Sequence, residues 1–217
     1  MLHLGVHTSP GVPSVDGASI IFVCEGNVDR SPAAELILRD LLPLPSLHVS
    51  SAGTGARVGE PVTGVMTRLL AERGIDATGS YARQLTPEMI GQADLVVTMT
   101  SLQRRHVVLI DPSALRRSWT LLSLAESLRT VPAAGPDEPR SLRSLGERAA
   151  AHRSAGGGDV PDPYGRSSRV CSRILDQLVP AVAAVAEATH RELLQARLVA
   201  ADGTPHAAEA PGGASRR

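Results

Sequence analysis

The chain of 217 residues has 22 basic and 22 acidic side chains, a formal net charge of +0 and 42% hydrophobic residues. That suffices for one domain with a real core, without metal or disulfide staples, and the charge balance argues against a nucleic-acid binder working by bulk electrostatics. All basic residues are arginine, which excludes a lysine-dependent phosphate loop; 2% aromatics leave no base-stacking platform, and two cysteines make neither a disulfide framework nor a cysteine-rich zinc site. The N-terminus lacks the pattern of a signal peptide. The longest mainly apolar stretch, Leu178 to Ala188, contains Pro180 and Glu187 and falls far short of the ~20 residues that span a bilayer. The expectation is a cytoplasmic protein with no membrane span and no nucleic-acid partner.

Residues 1–17 lack periodicity and read as a flexible leader. Ile20 to Val23 is a short apolar run of the kind a buried parallel strand shows. Ser31-Pro32 reads as an N-cap with proline in the first turn, opening a helix through Leu36, Ile37, Leu41 and Leu42 that stops near Pro43. A second strand is expected at Leu47 to Ser50. A helix from about Pro61 to Arg73 buries Val65, Met66, Leu69 and Leu70 and ends at Gly74.

Asp94 to Met99 and Trp119 to Leu122 are the third and fourth expected strands. Residues 129–158 stand apart: three prolines, a short helix from Ser141 to Arg153, then Gly156-Gly157-Gly158. They read as an insertion with a flexible exit. A long final helix after Arg166 carries Val170, Ile174, Leu175, Leu178, Val182 and Val185 on one side, with Pro180 expected to kink it. Residues 18–199 form the domain and 200–217 a disordered tail. Alternating strands and helices indicate an α/β fold with a parallel sheet.

The chemistry lies in Cys24-Glu25-Gly26-Asn27-Val28-Asp29-Arg30-Ser31. A cysteine ends a buried strand, and an arginine follows six residues later at the start of a helix. On its own a cysteine there is a small core residue; the surrounding loop changes the reading. Its amides can converge on an anion, and the helix N-terminus adds positive potential. Gly26 and Asn27 tolerate the left-handed backbone that a tight nest requires. Arg30 can hold two phosphate oxygens in a fork. The same field is expected to lower the pKa of Cys24, and Ser31 can donate its hydroxyl to the thiolate.

This segment resembles the phosphate loop of the low-molecular-weight protein tyrosine phosphatases, in their bacterial branch. Ser51-Ala52-Gly53-Thr54, Ala82-Arg83-Gln84-Leu85-Thr86, Asp94 to Met99 and Asp162-Pro163-Tyr164-Gly165 resemble further family motifs in order and spacing. The resemblance covers about residues 18 to 128 and 160 to 195. It implies a four-stranded parallel sheet with helices on both faces and a metal-free, cofactor-free phosphotyrosine hydrolase. Cys24 would be the nucleophile, Arg30 the phosphate ligand and Asp162 the general acid, then base. Glu25, Gly26, Asn27, Val28, Asp29 and Ser31 would line or shape the phosphate site, Ser51 would hold the loop with Asn27, and Tyr164 would wall the pocket. The partner implied is a phosphotyrosine-containing protein, such as a bacterial tyrosine kinase of polysaccharide export.

Several residues depart from the family pattern. Asp29 stands where many members carry a second cysteine, and Glu25 replaces an apolar or small residue. Ser80 replaces a histidine that braces the loop asparagine. Ala56 and Arg57 stand where a pocket-wall aromatic is common. Asp29 is expected to point at the thiolate and raise its pKa; the alternative is a strut paired with an arginine such as Arg83. The rival readings are an arsenate reductase-like or arginine phosphatase activity on the same fold, or a non-catalytic phosphate-binding regulatory module. Val28 lacks the hydroxyl typical of the arginine branch, and only Cys171 remains for a thiol relay.

Overall fold

The two inner strands of a four-stranded sheet, covered on both faces, explain the unbroken apolar runs of the sequence. The computed structural model describes residues 17–135, 138–152 and 157–202. In it β1 (Ala18–Cys24), β2 (Leu47–Gly53), β3 (Leu95–Thr98) and β4 (Ser118–Thr120) form one parallel sheet in the order β2-β1-β3-β4. Alternation along β1 divides the core. Ile20, Phe22 and Cys24 face the larger cluster, with Leu95 and Val97 of β3, and Ile21, Val23 and Val96 face the smaller one.

The helices sort accordingly. On the larger side lie α1 (Arg30–Leu41), α2 (Gly64–Ala71), α5 (Leu121–Leu128), α6 (Leu142–Ala151) and the long α7 (Ser168–Asp202). On the other side α3 (Pro87–Gln92) supplies Ile90 and α4 (Ser101–Ile110) supplies Val107. The expected four-stranded sheet with helices on both faces is thus present. Among the described residues no helix is long and apolar enough to cross a membrane.

Several boundaries differ from the expectations. The N-cap of α1 is Asp29, not Ser31; Ser31 lies inside the helix and is fully buried. Leu41 is exposed, while Leu42 at the C-cap is buried. The helix expected from Pro61 forms only from Gly64, because Thr63 caps it by accepting from the Met66 N–H. Strand β4 ends at Thr120, and Leu121 and Leu122 open α5.

Helices α3, α4 and α5 were not expected. The reason is plainest for α4, which buries only Gln103 and Val107, so its sequence carries no apolar stripe that faces the core. Helix α7 passes through Pro180 and runs to Asp202, beyond the expected domain end.

The short helix expected within 129–158 is present and packs on the core. Ser141 caps α6, and Leu142, Leu145 and Ala149 join the larger core. Arg148 pairs with buried Glu192 of α7 at 2.7 Å. Gly157, expected in a flexible exit, lies against the backbone of Ser123, leaving no room for a Cβ. The leader and tail at 1–16 and 203–217 lie outside the described residues, as do 136–137 and 153–156.

Candidate active site

The loop between β1 and α1 owes its shape to a ladder of backbone hydrogen bonds on its outer side. The N–H groups of Thr54, Gly55, Arg57 and Thr63 donate to the carbonyls of Cys24, Glu25, Gly26 and Val28, at 2.9–3.1 Å. A peptide unit whose carbonyl points outward turns its N–H inward. The amides of Glu25, Gly26, Asn27 and Asp29 are therefore set toward the concave side, as an anion nest requires. Gly53 makes the ladder possible: it pairs with Cys24 in the β1–β2 register, and a Cβ there would collide with the Glu25 carbonyl.

Asn27 is the hinge of the loop. It alone among described non-glycine residues has positive φ, at 55°, a conformation asparagine tolerates better than most residues. Its amide nitrogen donates to Ser31 Oγ and Ser51 Oγ, both at 2.9 Å, and its Oδ1 accepts from the Arg83 N–H at 2.9 Å. Ser31, Ser51 and the backbone of Arg83 thus brace Asn27. The pairing of Asn27 with Ser51 is as expected.

Ser31 does not face the pocket. Its hydroxyl lies behind the sulfur and donates to Cys24 Sγ at 2.9 Å; the Asn27 N–H donates to the same sulfur at 3.2 Å. The expectation of a lowered thiol pKa is not met. Burial pushes the Cys24 thiol up and outweighs the Ser31 hydroxyl, the Arg30 charge and the Asn27 N–H, which all pull it down.

Asp29 points to neither of the partners considered for it. Its carboxylate accepts from the Thr63 hydroxyl, tying the loop to the start of α2. Arg83 spends its Nε on the Ser51 carbonyl. Burial, with Asp162 nearby, raises the Asp29 pKa against the Thr63 hydrogen bond and Arg30. Asp29 is a strut, made so by Thr63, a partner not legible from loop spacing.

Arg30 joins the loop to the segment before α7. Its Nη1 donates to the Val160 carbonyl at 3.0 Å, and its Nη2 pairs with Asp162 Oδ2 at 3.0 Å. Its Nε is buried and has no hydrogen-bond partner among the described residues. A buried donor beside an amide nest fits an incoming oxyanion. Asp162 is held from the other side by the Tyr164 N–H, which donates to Oδ1 at 3.2 Å.

These parts enclose a pocket of about 140 Å³ lined by the loop from Cys24 to Arg30 together with Gly55, Arg57, Asp162 and Tyr164. All the expected pocket residues except Ser31 therefore meet there. Arg57 was missed as a pocket residue. Its guanidinium lies 4.5 Å from the centroid of the Tyr164 ring, close enough for a cation–π contact. Its stem passes over Gly26, so arginine and tyrosine together wall the mouth. Cys171 is buried at the start of α7, with Sγ 3.8 Å from the Pro163 carbonyl.

Fold and loop together place the chain among the α/β proteins that carry a Cys-x5-Arg anion loop. The model of the family "Low molecular weight phosphotyrosine protein phosphatase" matches residues 19–126. A probable low molecular weight protein-tyrosine-phosphatase, EpsP of Ralstonia solanacearum, is 39% identical over 95 residues, 44% of this chain and 64% of that protein. Etp of Escherichia coli K12 is 37% identical over 104 residues, 48% of this chain and 68% of that protein. The YwlE arginine phosphatase of Geobacillus stearothermophilus superposes with a TM-score of 0.65 at 29% identity, covering 82% of this chain and 96% of that one. The chain belongs to the low molecular weight protein-tyrosine-phosphatase family.

Proposed function

We propose that the protein hydrolyses phosphotyrosine in proteins through a phosphocysteine intermediate. The observation that carries this reading is the convergence of Cys24 Sγ, the amide nest, Arg30 and Asp162 on one pocket. Family membership supports it.

In the first step the Cys24 thiolate attacks phosphorus, forming the S–P bond as the bond to the tyrosyl oxygen breaks. Asp162, carrying a proton, gives it to the departing oxygen. In the second step Asp162 takes a proton from water, whose oxygen attacks phosphorus and releases the thiolate and inorganic phosphate. The inward amides and the Arg30 fork neutralise the equatorial oxygens throughout. The upward shift of the thiol means that the proton on Sγ must leave before attack, and the Ser31 hydroxyl stabilises the anion that results.

A tyrosine kinase of polysaccharide export is the partner suggested by the family resemblance, and the cytoplasm is the compartment that suits two free, buried cysteines. Phosphoarginine is the rival substrate, favoured by the likeness to an arginine phosphatase. Against it, Val28 brings no hydroxyl to the pocket, and the flat faces of Tyr164 and Arg57 suit an aryl group.

Turnover of a phosphotyrosine peptide and a matched phosphoarginine peptide separates the two. We expect the tyrosine peptide to be hydrolysed and Cys24→Ser to abolish turnover while still binding inorganic phosphate. Hydrolysis of the arginine peptide alone would reverse the assignment, and turnover by Cys24→Ser near the wild-type rate would remove the nucleophile.

A further inference from the structure

We propose that the exposed face of α4 is the groove in which the polypeptide flanking the phosphorylated residue docks, and that it selects an apolar side chain together with a carboxylate. The proposal rests on the phosphatase reading of the pocket. That pocket, at about 140 Å³, holds little more than the phosphorylated side chain. A second cavity of about 780 Å³ opens directly from it, sharing Glu25, Arg30, Gly55 and Asp162, and runs along α4.

Leu102, Arg105, His106 and Leu109 line this groove. Their i, i+3, i+4, i+7 spacing puts them on one helical face, away from the buried Val107. Leu102 is 65% exposed and Leu109 82% exposed. Two leucines displayed on one face beside a candidate active site have no use in the core. They are about 10 Å apart along the helix, which is roughly three residues of extended peptide.

The face is also rigid. Thr100 and Gln103 form a capping box. Asp159 accepts from the Ser101 N–H at 2.7 Å and its hydroxyl at 3.2 Å, and Arg104 Nε donates to the Ser118 carbonyl at 2.7 Å.

Charge decides the second part of the preference. Of the groove's acids, Asp159 is spent on the N-terminus of α4 and Asp162 on Arg30. Arg105 is exposed and has no ion-pair partner among the described residues. Glu25, where groove and pocket meet, disfavours a carboxylate immediately beside the phosphorylated residue. The carboxylate is therefore placed farther along the peptide, at Arg105, with the apolar side chain against Leu102 and Leu109.

Three substrates test this: a small aryl phosphate, a phosphotyrosine peptide with flanking Leu and Glu, and the same peptide with Ser and Lys. We expect the wild type to prefer the Leu/Glu peptide about tenfold in kcat/KM, on the scale of burying one leucine. Leu102→Ser combined with Leu109→Ser should erase most of that preference, and Arg105→Glu should shift it toward the Ser/Lys peptide. Both variants should turn over the aryl phosphate as the wild type does.

Aryl phosphate turnover with no discrimination between the peptides would overturn the groove alone. Equal losses on all three substrates would also overturn it, showing a structural role for the face. A wild-type dimer in sedimentation that the leucine variants dissociate would assign the face to a second copy instead. No aryl phosphate turnover by the wild type would overturn the phosphatase reading, and the groove with it.

Discussion

Arg30 Nη2 lies 3.0 Å from Asp162 Oδ2, so the arginine of the anion loop is ion-paired with the candidate general acid. The arginine is buried while the aspartate side chain is 46% exposed. The pair therefore sits at the boundary of the site, where one partner can release the other. An oxyanion in the nest competes with Asp162 for the guanidinium.

This competition gives the first prediction. Asp162→Asn removes a negative charge beside the nest and leaves Arg30 free for an anion. Inorganic phosphate should bind several-fold tighter, measured as a competitive inhibition constant. Aryl phosphates with poor leaving groups should slow by about 10²–10³, and those with good leaving groups by less, since they need less protonation. Equal slowing across a leaving-group series would remove Asp162 as the acid.

Ser31→Ala should raise the Cys24 pKa further. The hydroxyl is the largest influence holding the thiol down against burial, and its loss leaves the thiolate with one donor fewer. A hydrogen bond to a charged group contributes about 1.5–3 kcal/mol, so kcat should fall about tenfold to a hundredfold at neutral pH. Alkylation by iodoacetamide, followed against pH, should move to more alkaline values. An unmoved profile would show that the hydroxyl does not act on the sulfur.

Asp29→Asn should stabilise the fold near neutrality. The Asp29 pKa is raised on folding, so the native state binds more protons than the unfolded state between the two pKa values. Stability therefore falls as pH rises through that window and stays lower above it. Asparagine keeps an oxygen for the Thr63 hydroxyl and carries no charge. Thermal denaturation should give a higher Tm than wild type at pH 7, with the difference shrinking toward pH 4. A lower Tm at pH 7 would show that the charge itself is needed.

Gly53→Ala should disable the site while sparing the sheet. The added Cβ meets the Glu25 carbonyl, a backbone atom of the loop that cannot swing aside as a side chain can. A displacement of even 1 Å at the nucleophile is expected to lower kcat about a hundredfold. Circular dichroism should show the fold retained. Activity within a few-fold of wild type would mean that the ladder tolerates a shift of the loop.

The elements that chain reading recovered are those with local signals. β1 and β3 are continuous apolar runs, and the helices expected from Pro61 and Ser141 both form, the first only from Gly64. Helix α4 escaped because its outward face carries leucines while its inward face carries Gln103. An apolar pattern that serves something other than the core is invisible to a reading that assigns every leucine to the core. Strand β4 is shorter than its sequence suggests because Thr120, where strand gives way to helix, suits a strand as well as a cap and makes no side-chain capping bond.

By itself the sequence determined the loop's local parts: the Cys24-to-Arg30 spacing, the left-handed turn, taken by Asn27 and not by Gly26, and the Ser31 hydroxyl follow from short-range geometry. It also carried the Asp162-Pro163-Tyr164-Gly165 motif, though not its position in space. Only the tertiary structure decided what Asp29, Arg57 and Cys24 do there. The partner of Asp29 is Thr63, 34 residues away, and Arg57, ion-paired locally with Glu60, meets the Tyr164 ring only through the fold. The proton affinity of Cys24 follows from how completely the fold buries it. A charge's environment is set by atoms brought together through packing, and the order of residues along a chain does not record them.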